Sequence, residues 1–384
     1  MTKSLMQAQN MPALGALAGL TPAQKYDFGK NQAIGAPALL PIVPSAYQTA
    51  MVQQQLSILL RGTSFVNQLT AKPSKVNNDG FDVTKCSNPQ NFVAPSTESV
   101  NSDRSFDISA QPFYTSTNMS THGQTLGMHG TTQGVMINPQ YKISDDYSVG
   151  LIAMGTSSDY SMRQNQSDGK IKSGSLGIQG DYMLPFGLHV NGAFLLGKNH
   201  FDSKRSIFVP TLSPFVATQS HKGLDTTGVI GAGATIPLTQ HVFLSPYFNL
   251  SYTRSHQDAY TETGAPGFNV NSKARDSDTL GTVAGASLVN IAHINNDIVS
   301  TSFSLTYYRD QSLRRKNTAT LSFVGPNSQS FGIPCPSPKH NQLAADVSVV
   351  MFKKGGVYFG ADLGGRADRQ TQSVQGTLKA GYRF

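Results

Sequence analysis

Ten charged side chains, set on segments that otherwise alternate apolar and small polar residues, carry most of the chemical potential of this sequence. They are Lys198, Arg205, Arg254, Arg309, Arg366, Lys379 and Arg383, with Asp181, Asp346 and Asp362. Turned toward one confined, partly wet interior, they would line it and hydrogen-bond a helix or a polypeptide held there, since host and guest both present polar groups. Plain solvation of a channel with weak selectivity for anions is the other reading of the same charges. Signatures of further chemistry are missing. The nine histidines make no H-x-x-x-H pair, and Cys86 and Cys335 no C-x-x-C pair, so no metal site is expected. There is no G-x-S-x-G elbow, and the glycines from Gly228 to Gly233 sit inside a strand pattern, which argues against phosphate or nucleotide cofactors. The sequence thus leads us to expect no catalytic residue, no cofactor and no enzyme. A hydrolase whose Ser, His and Asp converge only in the fold stays open. Net charge is +8 and the isoelectric point about 9.3, yet no basic run or helix concentrates it, and no nucleic acid is expected.

The elements that would position those charges follow from composition and period. Charged residues are 14% and hydrophobic residues 38% of 384, with abundant Gly, Ser, Thr and Asn, a mixture poor in helix formers. Mean hydropathy is −0.25, and no run reaches the roughly 18 to 20 apolar residues that a spanning helix needs. A spanning strand shows lipid only every second residue, so low average hydropathy does not exclude a membrane. From about Arg104 onward, strict alternation recurs. Val242, Leu244, Pro246, Phe248, Leu250 and Tyr252 share one face, against Phe243, Ser245, Tyr247, Asn249, Ser251 and Thr253. Val299 to Tyr308 and Val357 to Gly364 repeat it. Further strands are expected over 104–117, 131–143, 146–162, 171–184, 187–207, 222–238, 274–291, 341–353 and 373–384, which makes twelve.

Connections alternate in length, as an antiparallel barrel in an asymmetric membrane requires. Short turns are expected at Ser144–Asp146, Pro185–Phe186, Thr239–Gln240, Ile294–Asn296 and Lys354–Gly356. Long loops are expected at Asn118–Gly130, Gln164–Lys170, Phe208–His221, Thr261–Lys273 and Gln311–His340. The fold class read here is all-β, a twelve-stranded antiparallel transmembrane β-barrel with an N-terminal α-helix inside the lumen. An even strand number places both barrel ends in the periplasm of a Gram-negative bacterium and the long loops at the cell surface. The last strand must close on the first, because an open edge in hydrocarbon costs several kcal/mol per unpaired group. At the terminus, Leu378, Ala380, Tyr382 and Phe384 share one face and Gln375, Thr377, Lys379 and Arg383 the other, so the second face is assigned to the lumen.

Three divisions are expected: 1–44, the end of a passenger or a linker; 45–103, a pore helix and linker; and 104–384, the barrel. Lys3 before the apolar stretch Met11 to Leu20 superficially resembles a secretory signal, but Pro12 and two glycines break it. The preferred reading is the C-terminal part of a longer precursor. In the helix, Met51, Leu56, Leu59, Leu60 and Val66 supply apolar contacts and Gln53, Gln54 and Gln55 polar ones, between Pro44 and Pro73. A helix packed outside the pore is the alternative.

The terminal aromatic with apolar residues at alternate positions before it resembles the signal read by the outer-membrane barrel assembly machinery. The wider pattern is similar to the β-domain of type V secretion autotransporters. It is carried by Val149, Gly150 and Leu151 with Gly155, by Ser173–Gly180 and Gly187–Gly197, and by the run His200, Phe201, Asp202, Ser203, Lys204, Arg205. With the last strand it covers roughly 280 residues. Leu20 to Gln24 resembles the Leu-Thr-Pro stretch that often precedes this domain. The resemblance implies a translocator that anchors in the outer membrane and exports its own passenger polypeptide, with outer-membrane lipid, the assembly machinery and periplasmic chaperones as partners and no cofactor. It also implies a helix through the barrel. Asn77–Asn78 resembles the pair at which some relatives cleave themselves, but lies beyond the helix expected here. The sequence departs from the family in having no tryptophan, which leaves Tyr and Phe to anchor the membrane interfaces, and in its long polar stretch from Pro73 to Asp103. A passive porin or a surface adhesin without passenger is the rival reading. Cys86 falls on the periplasmic side of this topology and Cys335 in the last long loop, so no disulfide between them is expected.

Overall fold

A computed structural model of the chain describes residues 106–384, apart from 122–126, 145, 163–166, 185–186, 208–213, 296, 314–317, 326–329 and 335–338, together with Val52, Gln55, Leu56 and Leu59. The strands are β1 (Phe106–Met119), β2 (Met128–Lys142), β3 (Tyr147–Met162), β4 (Ser167–Leu184), β5 (Leu188–Ile207) and β6 (Phe215–Ala234). There follow β7 (Ile236–Pro237), β8 (Val242–Gln257), β9 (Tyr260–Thr261), β10 (Val270–Ser272), β11 (Arg275–Ile294) and β12 (Asp297–Ser312). The last are β13 (Thr318–Phe323), β14 (Ser330–Pro334), β15 (Lys339–Phe352), β16 (Val357–Ala367) and β17 (Thr371–Arg383).

Twelve of these, β1–β6, β8, β11, β12 and β15–β17, form one antiparallel ring, with β7 a short addition along β8. Two pairings close it: β8 to β11, and β1 to β17 from Asp107↔Arg383 to Met119↔Thr371. Closure leaves the ring without a free edge, the condition for a sheet in hydrocarbon.

The expected alternation decides which face is which. Leu151, Leu176, Ile178, Phe194, Ile230, Phe248, Leu305, Leu343, Leu363 and Leu378 point out and are exposed, Leu176 and Leu343 to 70%. Small polar groups point in and bond across strands: Thr117 with Ser373 at 2.7 Å, Thr132 with Ser158 at 2.7 Å, and Ser287 with Ser304 at 2.7 Å. A protein with apolar residues outside and buried Ser, Thr, Asn and Gln inside is inverted relative to one that folds in water, and a bilayer is the solvent that stabilises it. We therefore expect Leu363→Arg, in this outer band, to lower stability in phospholipid vesicles by about 2–4 kcal/mol. A urea titration reads it, and a change within about 0.5 kcal/mol, the usual surface effect, would place Leu363 outside hydrocarbon.

Short turns gather at one end, where Asn295 takes φ 57° in the tight hairpin between β11 and β12 and Gly356 takes φ 91° before β16. Aromatics mark this end in place of tryptophan. Phe384 packs on Phe106 at 5.6 Å and on Tyr382 at 4.7 Å, and Tyr147 lies edge-on to Tyr182 at 6.4 Å.

At the other end two expectations are corrected. β4 begins at Ser167, inside the loop expected at Gln164–Lys170, and pairs with β3 as far as Ser167↔Met162. Likewise β6 begins at Phe215, inside the segment read as loop. Above the bilayer both faces are wet, so a strand there is held by its ladder alone and shows no apolar alternation. Two of the long loops carry strands of their own: β9 and β10 from one and β13 and β14 from another make a four-stranded sheet in the order β14-β13-β10-β9. The sixth connection at this end is tight, with Asp368 Oδ1 accepting the backbone N–H of Gln370 and of Thr371, both at 2.6 Å.

Candidate functional site

The lumen divides into two halves. From mid-height to the long-loop end, the β1–β6 wall turns Phe113, Met136, Ile152, Met154, Leu195 and Phe201 inward, and Leu56, Leu59 and Val52 pack against this cluster. Toward the short-turn end lies a cavity of about 170 Å3, lined by serines and by Asn138, His189, Asp346 and Tyr358, among others. That volume holds several waters among polar partners.

The four described helical positions have a direction. Val52 lies beside Met154, Thr156, Asn199 and Thr253, high on their strands, whereas Leu59 borders the cavity beside Ser109, Asn138 and His189 near the short turns. The chain thus descends from the long-loop end toward the short-turn end, where Phe106 begins β1. Gln55 is 1% exposed within this packing. Met51 and Gln54, expected on the same helix, lie outside the described residues, as do Asn77, Asn78, Cys86 and Cys335.

Four of the seven expected cations face inward with partners. Lys379 Nζ meets Asp362 Oδ2 at 3.0 Å, and Arg383 Nε meets Asp107 Oδ2 at 3.3 Å, the latter carboxylate also accepting the Tyr358 hydroxyl at 2.9 Å. Arg366 stacks over the Tyr308 ring at 5.8 Å. Arg205 pairs with Glu262. Asp181, Asp346 and Asp362 also face the interior. The other three cations are corrected. Lys198 follows Phe194 and Leu196 on β5, Arg254 follows Leu250 and Tyr252 on β8, and Arg309 follows Leu305 and Tyr307 on β12, all on the outer face. Period two fixes their side, and their height removes the penalty: each sits beyond the apolar band, where a charged head reaches headgroup water. With these three outside, the inward cations Arg205, Arg366, Lys379 and Arg383 meet at least as many inward carboxylates, Asp107, Asp181, Asp346, Asp362 and Glu262, and the basis for an anion-selective lumen goes with them. Leu378, Ala380, Tyr382 and Phe384 share the outer face of the terminal strand, and the Phe384 amide donates to the Phe106 carbonyl at 2.8 Å.

The sequence reading missed the cover over the outer mouth. Loop residues 258–274 fold against β5 and β6, where Thr263 bridges to Thr218. Glu262, 2% exposed, takes Arg205 Nη2 at 2.6 Å and the Val270 amide at 3.1 Å, while Arg205, 12% exposed, also donates to the Phe268 carbonyl at 3.0 Å. The His221 ring stacks between Phe201 at 4.7 Å and Tyr260 at 4.8 Å. Burial pushes the Tyr260 phenol up to about 12, with Arg275 pulling the other way, so it stays neutral. Arg205 was singled out by its strand-end motif, but nothing local pointed to Glu262, 57 residues on. Among the described residues, no group of three or more His, Cys, Asp or Glu could hold a metal ion, and no helix is long and apolar enough to cross a membrane.

The chain is thus a closed ring with an apolar exterior, with Val52, Leu56 and Leu59 packed inside it and an outward terminal aromatic. Outer membrane protein A of Rickettsia conorii is 23% identical over 287 residues, 71% of this chain and 14% of that protein. Outer membrane protein B of Rickettsia typhi is 25% identical over 201 residues, 51% of this chain and 12% of that protein. The chain therefore spans about an eighth of the length of the curated relatives it matches. Among solved structures, the translocator domain of autotransporter NalP from Neisseria meningitidis superposes with TM-score 0.58 at 16% identity, covering 73% of this chain and 88% of that one. The β-domain of the Bordetella autotransporter Brka superposes with TM-score 0.54 at 15% identity, covering 73% and 99%. Finally, the family model for the autotransporter β-domain matches residues 108–364, so this chain is a member of that family of translocator barrels and a protein of the outer membrane.

Proposed function

We propose that the chain anchors in the outer membrane and carries a polypeptide on its N-terminal side to the cell surface, with residues 45–69 left in the lumen as a plug. The observation that carries this reading is the direction of the helical positions, Val52 toward the long loops and Leu59 toward the short turns. A segment so threaded hands everything before it to the long-loop side. On this reading 1–44 is the end of a passenger or a linker, 45–103 the pore helix and linker, and 104–384 the barrel. An even strand number puts both barrel ends on one side, and the short turns gathered there make that side the periplasm, with the long loops facing outward. Leu378, Ala380, Tyr382 and Phe384 form the face read by the barrel assembly machinery, after periplasmic chaperones have held the chain. No step uses a cofactor, a metal or a catalytic side chain, and no nucleic acid takes part. An open porin fits less well, because Leu56 and Leu59 occupy the space that ions would cross.

An epitope fused ahead of residue 45 is expected to be cleaved by protease added to intact cells; protection until the outer membrane is broken would overturn export. Deleting Ser45–Leu69 should raise single-channel conductance several-fold, toward that of an open aqueous lumen. Unchanged conductance would remove the plug.

A further inference from the structure

The outer wall carries a second polar site. In register across β1 to β6 lie Tyr114, Gln133, Ser157, Lys172, His200 and Lys222, all on the outward face. Lys198 sits two residues nearer the short turns, opposite Gly174. Lys172, Lys198 and Lys222 are exposed, and among the described residues none makes an ion pair. Of the acids nearby, Asp159 pairs with Lys170 at 3.5 Å, and Asp202 lies 3.3 Å from His200 Nε2. Around the ring the contrast is clear: on β8 and β11, Asp276 pairs with Arg254 at 3.4 Å and lies 2.6 Å from His256 Nδ1.

Height and shape narrow the ligand. Residues Leu188 to Lys198 and Lys222 to Ala234 separate the lysines from the short-turn end. At about 3.3 Å per residue and a tilt of about 40°, that is about 25–30 Å, the far edge of an apolar band of about 25 Å. Lipid phosphates lie at that level. Beside Lys172 a shallow, open depression runs across the outer wall to Gly155 and Val135 and on to Tyr114 and Gly376. A Cβ on Gly155 or Gly376 would meet no atom within 4 Å, so the floor there is bare backbone.

We propose that this wall binds a phosphorylated glycolipid of the outer leaflet, with its phosphates on Lys172, Lys198 and Lys222 and one acyl chain in the glycine-floored depression. Lys172 and Lys222 are two strand spacings apart, about 10 Å, wider than one phosphate and matched by two phosphates on a sugar frame. The assignment of leaflet rests on the orientation proposed above, which protease cleavage of the long loops on intact cells reads separately.

The test places the full chain in phosphatidylcholine nanodiscs doped with lipid A, a bisphosphorylated disaccharide lipid, and measures retained lipid by native mass spectrometry. Retention about tenfold above that of the dephosphorylated lipid is expected, falling about tenfold in K172Q/K198Q/K222Q and surviving in the triple Lys→Arg variant. Gly155→Leu should also lower retention by filling the depression. Heat-modifiable migration shows that each variant is folded. Equal retention by wild type and the Gln triple variant would overturn the site. So would equal retention of the dephosphorylated lipid. Equal retention of phosphatidylglycerol, or displacement by millimolar inorganic phosphate, would overturn the bisphosphorylated ligand.

Discussion

A chain ending at Asp368, without β17, is expected to yield no heat-modifiable barrel in detergent or vesicles. The strand pairs on both sides, with β16 from Val357↔Tyr382 to Ala367↔Gln372 and with β1 along its length. Its loss leaves two facing edges of N–H and C=O groups in hydrocarbon, at several kcal/mol for each unpaired group. A handful of such groups exceeds the whole net stability of an ordinary domain, about 5–15 kcal/mol. It also removes Lys379 and Arg383, which leaves Asp362 and Asp107 in the lumen without their cations. A shortened chain that still migrated as a compact species would mean that β16 and β1 pair directly, and the closing role of β17 would be lost. Removing Phe384 alone should separate two functions. Its ring contributes contacts to Phe106 and Tyr382 at the rim, a small part of the fold, so refolding in detergent should persist. Assembly in cells should drop sharply if the outward face of Leu378, Ala380, Tyr382 and Phe384 is what the assembly machinery reads.

Glu262→Ala is expected to undock the loop that covers the outer mouth, at a cost of about 3–5 kcal/mol to that docking, while the barrel below stays folded. The carboxylate joins Arg205 and the Val270 amide in one buried cluster. Removing it leaves a guanidinium that is 12% exposed without its charge partner. Breaking one side of a buried pair costs far more than a surface bridge, for which about 0–1 kcal/mol is usual. Amide exchange at Val270 and protease cleavage within 258–274 should rise by orders of magnitude, with heat modifiability unchanged. The double variant Arg205→Met/Glu262→Leu should recover much of the protection, because apolar replacement removes the uncompensated charge. Unaltered exchange at Val270 in Glu262→Ala would show that the stack of Phe201, His221 and Tyr260 holds the loop by itself.

Much of the fold is legible in the chain because its rule is local. Side chains on a strand alternate, so Leu244, Phe248 and Leu250 declare one face and Tyr247, Asn249 and Ser251 the other without reference to any partner. The same rule, with the cost of an open edge, requires the terminal strand to close the ring and sets its inward face, Gln375, Thr377, Lys379 and Arg383. Strand number, hairpin positions and the lipid-facing set are determined this way. Height along the barrel axis is not, because it depends on how far each ladder runs, and ladders above the bilayer need no apolar signal. That is why charge alone assigns Lys198, Arg254 and Arg309 to the lumen, whereas their distance from the short turns lets them face outward. Only the tertiary structure decided three further things: the partner of Arg205, the small sheet shared by two distant loops, and the direction in which Val52 to Leu59 passes through the lumen. Each is a meeting of segments far apart in sequence, and no periodicity within either segment encodes the other.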